Sequence, residues 1–220
     1  MTRQVKPKPV VHIIDDDPAV VRVLAELVKA IGLDAQGYDS ADKFLATYKR
    51  SGPGCLVLDV ILPGMNGMEL QERMLAAGST LPIVFITGHA DVRMAVEVME
   101  KGAFGFLEKP FRKQELVDKI QKAIRRDQEN WQLLRQREEA DRRLARLTPA
   151  ERRVFDRVVA GQTNKLVAQG LGLSVRTVEV HRARIMAKLK VKSRADLLKL
   201  AAAASPVAGR DQAGPSSKSR

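Results

Sequence analysis

Carboxylates, a hydroxyl and an ammonium close successive short apolar runs in the first half of this chain. Asp59 ends the run Cys55-Leu56-Val57-Leu58, shortly before the turn residues Pro63 and Gly64. Asp15, Asp16 and Asp17 follow Val10–Ile14, Thr87 follows Pro82–Ile86, and Lys109 comes just after Ala103–Leu107. A lone acid after such a run has two readings. It caps the next turn, or it is a ligand group at the carboxyl end of a buried strand. Carboxylates gathered at one edge repel one another, and a hard cation resolves this. Mg²⁺ takes oxygen ligands, keeps several waters and is held by one or two carboxylates plus a phosphate. A hydroxyl (Thr87) then donates to phosphoryl oxygens, and an ammonium (Lys109) supplies a point charge. Asp59, at the centre, would be the nucleophile and would carry an aspartyl-phosphate.

The elements needed to bring these groups together are present in the pattern. Pro18 suits the first turn of a helix whose apolar stripe runs Val20, Val21, Leu24, Leu27, Val28, Ile31, and Gly32 stops it. A weak strand near Asp34–Gly37 precedes a helix that Ser40 caps. Further helices carry Met68, Leu70 and Met74, then Val92, Val96 and Met99. Strands alternating with helices imply βαβ units and a parallel sheet covered on both faces. Right-handed crossovers place every strand's carboxyl end on one edge.

Charge separates the two halves. The 220 residues carry a formal net charge of +12. Residues 1–115 hold 14 Lys and Arg against 15 Asp and Glu, and residues 116–220 hold the other 24 against 11. All of the basic excess lies in the second half, which points to nucleic acid there. One Trp and two Tyr leave little for a base-stacking, single-strand surface. The single Cys55 sits inside an apolar run as a small hydrophobe, and no stretch approaches a membrane span. A soluble, reducing, cytoplasmic home is expected.

The basic half reads as a bundle of four helices. Thr148, Pro149 and Glu151 form a capping box, and Val154, Phe155 and Val158 the apolar face behind it. A helix from Thr163 reaches Gly170-Leu171-Gly172, a third starts at Ser174 or Val175, and Ser193 caps a fourth. Two short helices joined by a Gly-containing turn, the second dense in Arg, make a helix-turn-helix. Before it, the charged stretch after Arg125 reads either as a solvated spacer helix or as part of a heptad seam through Val117, Ile120, Ile124, Trp131 and Leu134. About thirty helical residues would span roughly 45 Å, enough to hold two domains apart.

Residues 10–125 resemble the receiver domain of a two-component response regulator. The phrases that carry it are Asp15-Asp16-Asp17, Leu58-Asp59-Val60, Leu62-Pro63-Gly64-Met65-Asn66-Gly67, Ile86-Thr87-Gly88-His89 and Glu108-Lys109-Pro110-Phe111. Residues 147–204 resemble the LuxR/NarL-type DNA-binding domain, through Leu147–Glu151, Val175–Arg182 and Lys188-Leu189. The whole chain is similar to the FixJ-like subgroup. The resemblance implies a flavodoxin-like, doubly wound α/β sheet in order 2-1-3-4-5, a linker helix over 126–146 and an all-α helix-turn-helix domain. A leader over 1–9 and a disordered tail over 205–220 complete the division.

The resemblance also implies roles. Asp59 accepts a phosphoryl group from a sensor histidine kinase. Asp16, Asp59 and the backbone carbonyl of Ile61 hold Mg²⁺, with Asp15 acting through water. Thr87 and Lys109 stabilise the phosphate, and Phe106 falls where the family has an aromatic switch, although a plain core aromatic is its other reading. In the second domain Glu179, Val180 and Ala183 face bases of double-stranded DNA. Arg176 lies in the matching motif, and Thr177, His181, Arg182, Arg184 and Lys188 lie near phosphates. Homodimerisation on phosphorylation and contact with RNA polymerase, as an activator, are expected. Two alternatives stand beside this: a DNA-binding regulator with a degenerate receiver, and a Mg²⁺-dependent phosphatase working through an aspartyl-phosphate. The phosphatase needs a second acid two residues after the nucleophile, where this chain has Ile61.

Overall fold

A computed structural model describes residues 7–88 and 92–204. The expected tail over 205–220, most of the leader, and residues 89–91, with His89 of the receiver-like motif, lie outside the described residues. The chain divides into two compact units between Gln132 and Leu133.

In the first unit, strands β1 (Val10–Ile14), β2 (Asp34–Tyr38), β3 (Gly54–Asp59), β4 (Ile83–Thr87) and β5 (Gly105–Glu108) alternate with helices. The helices are α1 (Pro18–Ala30), α2 (Ala41–Thr47), α3 (Gly67–Ala76), α4 (Val92–Glu100) and α5 (Lys113–Leu144). The sheet is parallel with order β2-β1-β3-β4-β5. Its central strand β3 is buried along its whole length, which is why it reads as a continuous apolar run and does not alternate. Residues one apart on a strand face opposite sides, and two separate cores follow. Ile14, Leu56, Leu58 and Phe85 pack with Phe44, Leu70 and Val98. Val11, Ile13, Val57 and Ile86 pack with Leu24, Val28, Leu116 and Ile120.

Local chemistry starts the helices where the sequence suggests. Asp17 caps α1, its Oδ1 accepting from the Ala19 N–H at 2.8 Å, with Pro18 at the first position. Ser40 caps α2. The last strand differs from the expected Ala103–Leu107 by starting two residues later. Ala103 is used to close α4, its N–H donating to Val98 O at 2.9 Å, before Phe104 reaches Ile83 O. The linker expected over 126–146 has no boundary of its own at its start: α5 is one helix through Leu144.

The second unit holds α6 (Pro149–Val159), α7 (Asn164–Leu171), α8 (Val175–Leu189) and α9 (Arg194–Ala203). Val154, Phe155, Val167, Val178, Ile185, Leu189 and Leu197, joined by Leu144, form its core.

Candidate functional site

Strand register assembles the acidic edge. Ile14 pairs with Leu58, so Asp15 and Asp59 step out of β1 and β3 side by side. Thr87 pairs with Glu108, which puts Lys109 one residue beyond it, and the Lys109 N–H donates to Thr87 O at 2.7 Å. Carboxylate oxygens of Asp15, Asp16 and Asp59 lie within 4.8 Å of one another. Asp15 and Asp59 are buried and Asp16 is exposed. Lys109 Nζ donates to both Asp15 Oδ2 and Asp59 Oδ2, each at 2.7 Å. The other oxygens accept from backbone: Asp17 N–H on Asp15 Oδ1 and Ile61 N–H on Asp59 Oδ1, each at 3.0 Å.

The electrostatics match that geometry. Burial pushes the Asp15 carboxyl up, and the Lys109 ammonium and Asp17 N–H only partly oppose it. Burial alone would lower Lys109, but its hydrogen bonds to Asp15 and Asp59 outweigh that and raise it. An all-oxygen set of three converging acids, one facing solvent, has the donor chemistry of a Mg²⁺ site. Close backbone packing supports the edge. A Cβ on Gly67 would lie 2.4 Å from Asp59 O, so only glycine lets α3 begin over the end of β3. Thr87 is fully buried at the end of β4, and the Ile61 side chain is 51% exposed beside Asp59. Phe106 is half-buried against the core that contains Phe85 and Val98.

The second unit presents a different surface. Ser174 caps α8 through the Thr177 N–H, after a left-handed turn at Gly172 (φ 66°) that needs glycine's freedom. Val178, Ile185 and Leu189 are buried, leaving Arg176, Glu179, Val180, Ala183 and Arg184 exposed. Glu179, Val180 and Ala183 share one helical face by spacing. Thr177, His181, Arg182 and Lys188 are half-buried. Arg182 donates to Asn164 Oδ1 on α7. Lys188 Nζ is 2.7 Å from Glu151 Oε2, so its charge is engaged by the scaffold. His181 Nδ1 is buried with no partner among the described residues.

Neither tie is legible in the sequence, because each joins helices through polar ends that helical spacing assigns to solvent. Gly170 sits inside α7, where glycine lowers helix propensity. A Cβ there would lie 2.4 Å from Arg157 Nη1, and the same guanidinium donates to Gly170 O at 3.1 Å. The glycine makes room for an arginine that links α6 to α7.

Glu151 gives a pH signature. The Lys188 ammonium, then the Thr148 N–H, hold its carboxyl down to about 2 from the ordinary 4.5. A folded pKa below the unfolded one adds stability that is present above the unfolded value and lost as pH falls through the folded one. The second unit is therefore expected to lose stability between pH 4.5 and 2. Methyl NMR signals of Val154 and Ile185, followed during acid unfolding, should show this component in the wild type and not in Glu151→Gln.

Known proteins share both halves. The family model for the response regulator receiver domain matches residues 11–121. That for bacterial regulatory proteins of the luxR family matches residues 145–201. The chain is 40% identical over 205 residues to the transcriptional regulatory protein FixJ of Azorhizobium caulinodans, covering 93% of this chain and 97% of that one. It is 39% identical to the response regulator protein TodT of Pseudomonas putida, over 87% of this chain and 84% of that one. Among solved structures, the response regulator StyR is similar with a TM-score of 0.80 and 39% identity, over 89% of this chain and 99% of that one.

Proposed function

The chain belongs to the two-component response regulators of the FixJ-like subgroup, and from that premise we propose that phosphorylation of Asp59 controls its sequence-specific binding to DNA. The observation that carries this is Lys109 bridging Asp15 and Asp59 with Asp16 alongside. In the proposed reaction an Asp59 Oδ attacks the phosphorus of a phosphohistidine on the sensor kinase. The P–O bond forms as the P–N bond breaks, and the imidazole leaves. Asp16, Asp59 and the Ile61 carbonyl would hold Mg²⁺, and Asp15 would act through a water. When bound, the metal neutralises charge between the carboxylates and the phosphoryl oxygens.

Lys109 and the Thr87 hydroxyl then bond the phosphoryl oxygens. Thr87 moves toward them, Phe106 turns into the space it leaves, and the face of α4 and β5 is remodelled. That surface promotes a homodimer, and the paired α8 helices occupy the major groove of double-stranded DNA. Glu179, Val180 and Ala183 face bases, Thr177, His181, Arg182, Arg184 and Lys188 lie near phosphates, and Arg176 belongs to the same DNA-binding motif. The dimer acts as an activator by contacting RNA polymerase. Ile61 offers no acid to activate water, so Asp59 stores the group and loses it at most by slow self-dephosphorylation. The protein works in the cytoplasm, where kinase and promoter both are. Among the described residues no helix is long and apolar enough to cross a membrane.

Footprinting on the upstream DNA of its own genome tests this reading. Phosphorylated protein should protect discrete sites at lower concentration than unphosphorylated protein. Its affinity should fall steeply with salt, and Arg184→Ala should reduce the log–log slope by about one, as loss of one phosphate contact does. Equal protection in both states, or an affinity insensitive to salt, would sink the proposal.

A further inference from the structure

At the amino-terminal ends of β1 and β3, away from the carboxylates, the first unit forms a partly open cavity of about 120 Å³. His12, Tyr38 and Tyr48 place rings on it, the His12 ring lying 5.8 Å from that of Tyr38 and 5.1 Å from that of Tyr48. Gln36 adds an amide, and Lys49 and Arg50 add two cations. None of these residues takes part in the acidic edge or in α8.

Arg50 is incompletely satisfied. Its Nη1 donates to Thr80 Oγ1 and its Nη2 to Asp127 Oδ1, each at 2.7 Å. Its Nε is buried and has no acceptor among the described residues. A buried donor left unpaired is costly, the more so when it is charged. The exposed Lys49 places a second cation beside it. Burial holds the His12 imidazole down to about 4, so at neutral pH this wall is uncharged.

We infer that this cavity binds a small aromatic carboxylate, its ring among His12, Tyr38 and Tyr48 and its carboxylate on Lys49 and Arg50. The volume approaches that of the ~150 Å³ cavities that admit benzene, so one ring fits and a nucleotide does not. Aromatic edges and faces reward a planar ring over an alkyl chain. A free inorganic anion would engage Lys49 and Arg50 alone, and a cationic ligand would be repelled by them. Occupancy reaches α5 through the same guanidinium, since Arg50 also holds Asp127.

Titrating the full-length protein with benzoate, followed by ¹⁵N NMR, tests the site. Saturable shifts are expected at Gln36, at Tyr48 to Gly54 and at the Arg50 Nε, with a dissociation constant of roughly 1 mM or tighter for so small a ligand. Benzyl alcohol and acetate, each lacking one half of the recognition, should bind at least tenfold more weakly. Gln36→Trp lays a ring over the mouth from the edge strand and should abolish the shifts. Lys49→Glu, at an exposed position, should weaken benzoate binding while leaving benzyl alcohol unchanged. Absent or non-saturating shifts, equal binding of benzyl alcohol, or indifference to both variants in folded protein would each overturn the inference.

Discussion

Asp59→Asn will fold as the wild type does and take up no phosphoryl group from acetyl phosphate and Mg²⁺. Mass spectrometry of the intact protein should show one adduct on the wild type and none on the variant, and chelating the metal should remove the wild-type adduct. The fold is expected to survive because Asn keeps an oxygen for the Ile61 N–H and Lys109 keeps Asp15. One like-charge neighbour of Asp15 also disappears, a small contribution beside burial. The stability change should therefore stay within about 1 kcal/mol, the worth of a typical hydrogen bond. The effect on DNA should be large. Coupling between sites is typically about 1–3 kcal/mol, or roughly 5–150-fold in affinity. Phosphorylated wild type should bind its operator tighter than the variant by a factor in that range, while the two unphosphorylated proteins bind alike. An adduct on the variant at another acid, or operator binding that treated all forms alike, would remove Asp59 from its role.

The acidic edge was legible before any coordinates because a parallel sheet leaves little choice. Once five apolar runs alternate with helices, their last residues share one edge, and register does the rest: Ile14 opposite Leu58 sets Asp15 beside Asp59. Helix starts were legible for a related reason. Thr148 and Glu151 satisfy each other's backbone within four residues, so the capping box needs no tertiary information. Contacts between distant polar groups were not legible. Glu151 looked complete as a cap, and nothing local says that Lys188, 37 residues on, binds the same carboxylate. Asp127 is the sharper case. It lies among the charges after Arg125, in the stretch that reads as a solvated spacer, yet it is fully buried. Its side chain accepts from the Gly54 N–H at 2.8 Å and from Arg50 at 2.7 Å. A signal did exist. Ile120, Ile124, Asp127 and Trp131 follow the spacing of one helical stripe, so the acid occupies a core position and requires a partner there.

That partner makes Asp127 the place where a single substitution should most damage the first unit. Asp127→Ala leaves the Arg50 guanidinium, only 19% exposed, with no counter-charge and the Gly54 N–H with no acceptor. Breaking a buried pair from one side costs about 3–5 kcal/mol, a large share of the roughly 5–15 kcal/mol that holds a domain. Asp127→Asn should cost less than half as much. It keeps an oxygen for Gly54 and removes a buried charge whose carboxyl burial already pushes up, with Gly54 and Arg50 only partly opposing. The sign of the pH effect follows. A folded pKa above the unfolded one means that this residue's contribution weakens as pH rises through the folded value, and that dependence should vanish in Asn. Trp131, the chain's one tryptophan, reports on the region directly, because Arg50 lies 5.2 Å from its ring centroid. Urea unfolding followed by its fluorescence should rank wild type above Asn above Ala. If Ala unfolded within 1 kcal/mol of wild type by that measure, the clamp would be ornamental; if Asn fell as far as Ala, the ion pair, and not the hydrogen bond to Gly54, would be what secures α5 to the sheet.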